Sequence, residues 1–342
     1  MRRALVIAAA LLAFLAAAYA VYWHVMASRA ADWIAVWAQP APGKAWHGRF
    51  VSAGTTGFPF DMDVRIDAPV VIWEGRAGHA VWQGPWLVAS FRPWSLARFD
   101  IELPQEQTIV VDDGGSLRMI ALQMASGLAH VEIEDNRARA LSAELLDIVA
   151  TVEQNRAPLA ADRIQVEVEQ VPGEEPAWDL FVQAEHLRFP AQAPEPFAAQ
   201  IPLFATNLRI VGDVPDGAIR DRLAAWRDGG GTVEVLDLAL DWPPLGVEGE
   251  GTMALDDELR PIGAFTARIV GYRELLEALS EVGRIEADEA RVAGVALDAM
   301  AVRGEDDVRR LSVPVSVQNG RLYVGPIAVV DVPPVLPPEA SF

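Results

Sequence analysis

Apolar and polar residues alternate along most of this chain with a period of two. In "GFPFDMDVRIDAP" (57–69), Phe60, Met62, Val64 and Ile66 fall on one side and Asp61, Asp63, Arg65 and Asp67 on the other. That is the pattern of a half-buried strand. The same alternation predicts strands around 99–103, 164–168, 178–182, 236–242 and 313–317. Asn319-Gly320 then predicts a two-residue hairpin turn into a partner strand carrying Leu322 and Val324. Antiparallel sheets with one wet face give such alternation; buried parallel sheets give unbroken apolar runs.

Helical spacing is scarcer. After Arg2 and Arg3, 22 residues from Ala4 to Val25 carry no charge, about 33 Å of helix against a bilayer core of about 30 Å. Ala30, Trp33, Ile34 and Trp37 follow at i, i+3, i+4, i+7, which predicts a juxtamembrane segment, 28–45, whose helix ends at Pro40 and Pro42. Ile219, Leu223 and Trp226 suit a short helix capped by Asp216 and stopped by Gly229 to Gly231. "YRELLEALSEVG" (272–283) suits another, while 286–300 has helical propensity without a clear period and 139–154 fits either type. The expected fold is mainly β, with large curved antiparallel sheets, packed short helices and one N-terminal transmembrane helix. The expected segments are an anchor at 1–27, the juxtamembrane helix, β-rich halves at 46–200 and 201–331, and a Pro-rich tail at 332–342. The Pro-rich stretch 186–202 marks the middle boundary.

Charge narrows the partners. The net charge is −20, and beyond residue 31 the chain holds 48 acids against 25 bases. That sign repels nucleic acid phosphates, so nucleic-acid binding is not expected. Cysteine is absent, which excludes disulfides, thiol catalysis and Cys-ligated zinc. Arg2 and Arg3 direct the N-terminus to the cytoplasm and the bulk of the chain outward. Tyr22, Trp23, Trp33 and Trp37 are the expected membrane-interface residues. Ala18-Tyr19-Ala20 also fits a signal-peptidase site, so a cleaved signal competes with the anchor.

The Trp-rich segment leading into "HGRFVSAGTTGFPFDMDVRIDAP" resembles an uncharacterised proteobacterial family catalogued as domain of unknown function 2125. "LDLALDWPPLGVEGEGTMALDDELRPIGAFTARI" and "LSVPVSVQNGRLYVGPIAVVDVPP" are similar to the sheet units of AsmA-like envelope proteins. The first resemblance implies an N-terminal membrane segment and no assigned function. The second implies a sheet whose apolar face carries lipid between membranes. Together they imply a single-pass inner-membrane protein with its bulk in the periplasm.

Chemical motifs are missing. The five histidines show no metal-ligand spacing, no Gly-x-Ser-x-Gly elbow occurs, and the acidic clusters at 112–115 and 305–307 lack the spacing of a calcium loop. No catalytic residue, metal ligand or cofactor is expected, and the protein is read as not an enzyme. Eight of the eleven tryptophans lie within the first 94 residues. With Phe58, Phe60, Met62, Val64 and Ile66, the rings of Trp73, Trp82 and Trp86 form the candidate apolar face, read either as core or as a ligand surface. The functional expectation is a non-enzymatic handler of lipid or another apolar envelope component. The alternative is an anchored interaction module without a groove, its protein partners unspecified.

Overall fold

The computed structural model describes residues 2–40, 46–75, 78–112, 117–135, 137–152, 158–173, 175–189, 195–215, 219–304, 308–325 and 327–336. The fold is mainly β and antiparallel. The chain divides into two compact units: 1–141 with 152–154, and 142–151 with 155–342.

Unit 1 begins with one continuous helix, α1 (Arg2–Ala38). No break separates an anchor from a juxtamembrane helix, because no Pro or Gly occurs between Arg2 and Ala38. The strands come in pairs along one chain direction: β1 (Trp46–Arg49) with β2 (Ser52–Thr56), β3 (Met62–Asp67) with β4 (Val70–Gly75), β5 (Gly78–Gln83) with β6 (Trp86–Arg92), β7 (Ser95–Leu103) with β8 (Glu106–Asp112), and β9 (Leu117–Gln123) with β10 (Ser126–Glu134). Each pair is one long strand interrupted midway. Register runs unbroken from β3–β4 onto β5–β6, where Val70 faces Gln83 and Asp67 faces Trp86. It slips by one residue from β5–β6 onto β7–β8, where Gln83 faces Thr108 but Val88 faces Glu102. The interruptions align into a crease at Val51, Ala68-Pro69, Gly84-Pro85, Pro104 and Met124. Hydrogen bonds from Ala68 N to Pro85 O (2.9 Å) and from Met124 N to Gln105 O (2.9 Å) hold it together. Proline has no N–H for the ladder, so these residues stop what would otherwise be strands of about fifteen residues.

The apolar row of β3 is covered by α1. Met62 is 0% and Val64 1% exposed, packed with Trp23, Ala30 and Phe91. The helix approaches closely at its end, where a Cβ on Gly48 would lie 3.3 Å from Ala38 Cβ. Phe60 departs from the expected row: β3 starts at Met62, and Phe60 lies in the preceding turn, 69% exposed. The opposite face is polar, with Ser90 Oγ donating to Asp63 (2.7 Å) and the Arg65 guanidinium over the Trp86 ring.

β11 (Arg137–Val152), the segment with ambiguous periodicity, is a strand contributing to both units. Unit 2 continues as a meander: β12 (Leu159–Val171), β13 (Ala177–Arg188), β14 (Gln200–Val211), β15 (Thr232–Trp242), β16 (Leu245–Leu255) and β17 (Pro261–Val270), with α2 (Ile219–Asp228) after β14. Then come α3 (Tyr272–Glu281), α4 (Ala287–Met300), β18 (Val302–Arg303), β19 (Arg309–Gln318), β20 (Arg321–Val324) and β21 (Ile327–Asp331), with β19 pairing back on β17. The expected boundary at 186–202 falls inside this unit, because β13 and β14 on either side of it pair along their length. The Asn319-Gly320 hairpin forms, both residues having positive φ as the tight turn requires. Asp216, the expected cap, and the 305–307 cluster lie outside the described residues, as do Pro42 and 337–342 of the tail.

Substituting Met62→Asp places an unpaired charge in the α1–β3 contact and is expected to cost about 3–5 kcal/mol. Met62→Leu should cost less than about 1.5 kcal/mol. Denaturant titration of the detergent-solubilised chain measures both, and an unaffected Met62→Asp would mean that α1 does not cover β3.

In the β16–β17 turn, burial pushes the Asp256 carboxyl up. Hydrogen bonds from the Arg260 and Glu258 backbone N–H groups (2.8 and 2.9 Å) and from Arg260 Nε (2.7 Å) outweigh it, leaving the pKa lowered. A carboxylate depressed on folding contributes stability above its unfolded pKa, near 3.9, and loses it as pH falls through the folded value. Thermal melts of Asp256→Asn should therefore lie below wild type at pH 7 and converge with it only as the pH falls below the unfolded carboxylate value.

Candidate functional site

Two surfaces qualify as candidate sites: the end of unit 1 where α1 emerges, and one face of the unit 2 sheet.

Along α1, one side from Tyr19 to Ile34 packs on the sheet through Tyr19, Trp23, Met26, Ala27, Ala30 and Ile34. Tyr19 Oη donates to Pro59 O, Tyr22 Oη to Pro93 O (2.8 Å) and Trp23 Nε1 to Asp61 O (3.1 Å). These three bonds fasten the helix to the turns before β3 and between β6 and β7. By length and composition the apolar stretch Ala9–Val36 is long enough to cross a membrane. From Tyr19 onward, however, one side of it is occupied by sheet. Before Tyr19, the described side chains Val6, Ile7, Leu11, Leu12, Phe14 and Leu15 are exposed.

The expected interface residues therefore separate. Trp23 is 4% exposed and belongs to the unit 1 core, because its ring packs against Met62 and its N–H is used by Asp61 O. Tyr22 and Trp33 are exposed; Trp37 is on the last turn of α1, and its side chain lies outside the described ones. The candidate apolar face also divides. Met62 and Val64 are core, and Ile66, Trp82 and Trp86 are half-buried. Trp73 and Phe58 are exposed on one side. Trp82 is fixed at the crease by donating to Gln107 Oε1 (2.6 Å), and Gln107 in turn donates to Pro104 O (2.9 Å).

Unit 2 carries an apolar face that the alternation of single strands does not reveal. Register places Val166 beside Val182, Val182 beside Thr206 and Thr206 beside Leu238. The next row joins Val168, Leu180, Leu208 and Val235. A bulge between Val235 and Leu238 keeps both on this face and turns Leu236 outward. The other face carries Glu167, Gln183, Glu185, Arg209 and Glu234, with Arg209 held by Asp179 in a two-pronged pair (2.8 and 3.0 Å). Helices cover only parts of the apolar face. α2 reaches it through Trp226 and Leu223 at Ile210 and Val233, and α3 and α4 reach it through Tyr272 and Leu297 near Ala267, Leu311 and Val313. Between them Val166, Leu180, Val182, Leu208 and Leu238 stay half-buried.

Polar chemistry is dispersed. Four histidines each face one carboxylate across neighbouring strands, the shortest contact being His130 Nδ1 to Asp100 at 2.6 Å. Cross-strand pairing accounts for them. His24 instead stacks on Phe58 at 5.8 Å. Among the described residues no cluster of three His, Asp or Glu is placed to hold a metal ion. A cleft of about 410 Å³ between α3 and α4 is bordered by Arg273, Glu277, Ser280, Arg291 and Val295, with no histidine.

Residues 23–333 match the bacterial family described as "uncharacterized protein conserved in bacteria", DUF2125. The chain belongs to this family. No curated protein and no solved structure matches it. The family match begins at Trp23, the helix residue on which the unit 1 core closes, so the packed half of α1 is part of what the DUF2125 chain has in common with its family.

Asp298 ties the helical pair to the sheet. Its carboxylate, 15% exposed, accepts from Tyr272 Oη (2.8 Å), Arg273 and Arg309 (2.7 Å). Asp298→Ala should destabilise unit 2 by about 2 kcal/mol through the loss of these charge-assisted bonds. Urea unfolding followed by circular dichroism checks the value, and an unchanged midpoint would reduce the network to surface decoration.

Proposed function

We propose that the protein is a single-pass, membrane-anchored, non-enzymatic protein with a cytoplasmic N-terminus and a periplasmic bulk, and that it holds the hydrocarbon part of a lipid on the apolar face of unit 2. One observation carries this reading: the rows through Val166, Val182 and Leu238 are only half-buried between the helices, while the reverse face carries Glu167, Glu185 and Arg209. A sheet that only builds a core closes such a face, since each fully buried Val or Leu contributes about 1.5–3 kcal/mol. An apolar strip left open invites an apolar occupant. The likeness to AsmA-like sheets points the same way, and the exposed arm of α1 supports attachment to a membrane. The acidic charge favours acyl chains over anionic headgroups as the recognised chemistry.

Mass spectrometry of lipids co-purifying with the detergent-extracted full chain tests the reading. Wild type should carry lipid above the background of an unrelated single-pass protein. Val182→Asn should reduce it at least tenfold with an unchanged melting temperature, and Gln183→Asn on the reverse face should not. Equal lipid in all three proteins would overturn lipid holding and favour an interaction module. Reporter fusions after residue 335, one active only in the periplasm and one only in the cytosol, test orientation; activity of the cytosolic fusion alone would reverse it.

A further inference from the structure

At the end of unit 1 from which α1 emerges, two turns meet the helix and both end in exposed rings. The turn before β3 presents Phe58 (50% exposed) and Phe60 (69%), and the turn between β6 and β7 presents Trp94 (59%). Their backbones are fixed to α1 by the Tyr19–Pro59 and Tyr22–Pro93 hydrogen bonds. The rings therefore stand level with Tyr19 and Tyr22 on the helix. Gly57 secures the first turn: its φ is +97°, and a Cβ there would lie 2.8 Å from Asp61 O. Phe58 is gripped from the helix side by Trp23, edge-on at 5.4 Å, and by His24 stacked at 5.8 Å. Pro93, beneath Trp94, is fully buried. Phe58 is thus held by rings on its helix side while half of it faces outward.

We propose that Phe58, Phe60 and Trp94 form an aromatic foot that inserts into the headgroup layer of the bilayer beside α1, a refinement that rests on the anchored reading above. The depth agrees. From Tyr19 back to Arg2 the free helix spans about 26 Å at 1.5 Å per residue, close to a hydrocarbon core of about 30 Å. Arg2 and Arg3 then reach one surface while the foot and both tyrosines reach the other. Aromatic residues favour this layer, since their rings are apolar and Trp keeps a polar N–H. Deeper immersion, down to Val25, would carry the exposed Asp61 and Arg92 into hydrocarbon, which is costly for charged groups. The foot thus sets how far the helix sinks. Its attraction is apolar, so salt leaves it unchanged.

The chain has no cysteine, so a single introduced one carries a unique label. Full-length Leu11→Cys, Phe60→Cys, Trp94→Cys and Val51→Cys, each labelled with a bimane fluorophore, are reconstituted into phosphatidylcholine vesicles with or without bromines at carbons 6 and 7 of the acyl chain. Val51, 80% exposed, sits about 17 Å from the foot at the far end of β2 and is the reference. Labels at 60 and 94 should lose at least half their fluorescence in brominated vesicles, equally at low and high salt, while the label at 51 keeps its own. Quenching at 11 with labels 60 and 94 behaving like 51 would overturn the foot and leave the anchor standing. No quenching at 11 would overturn the anchor itself, and the foot with it.

Discussion

Everything in unit 1 depends on the seating of α1 against β3. Among the described residues, it is α1 that covers Met62 and Val64: the strand's reverse face is Asp63, Arg65 and Asp67, and β2 and β6 extend the sheet sideways. A single sheet cannot bury its own apolar face. Here the second layer is the same helix whose other half projects outward as exposed apolar side chains. Small residues make the contact close: Ala27, Ala30 and Ala38 on the helix, Gly48 on β1. The segment that reads as an anchor is therefore also structural core.

The alternation exposed most strands because one polar and one apolar face leave a period of two in the sequence. It failed at three kinds of place. Phe60 continued the apolar row in sequence but lies in a turn, since Gly57 and Pro59 redirect the backbone before pairing begins. The prolines at 69, 85 and 104, which the alternation did not single out, each interrupt a longer strand; their alignment across several strands is invisible to a pattern read along one. Trp23 looked interfacial because its neighbours are apolar on every side, and only the opposite layer reveals which face is taken.

The candidate sites were legible to different depths. The strands of the unit 2 face were visible, yet their union into one surface depends on register and on the bulge at Val235 and Leu238, which a single strand does not encode. Local spacing was enough for α3, where Leu275, Leu276 and Leu279 recur at helical intervals, but not for α4, whose alanines and valines suit more than one period. The histidine–carboxylate pairs come from residues 24 to 33 positions apart and could only be found in three dimensions.

The unbroken course of α1 has a mechanical consequence. A helix of 37 residues without Pro or Gly is a stiff rod about 55 Å long, and its outer half is cantilevered from the unit it helps to build. Any turn or tilt imposed on residues 2–18 is delivered, without a hinge to absorb it, to the strands clamped at Tyr19, Tyr22 and Trp23. The angle at which that rod is held fixes the angle of the first sheet.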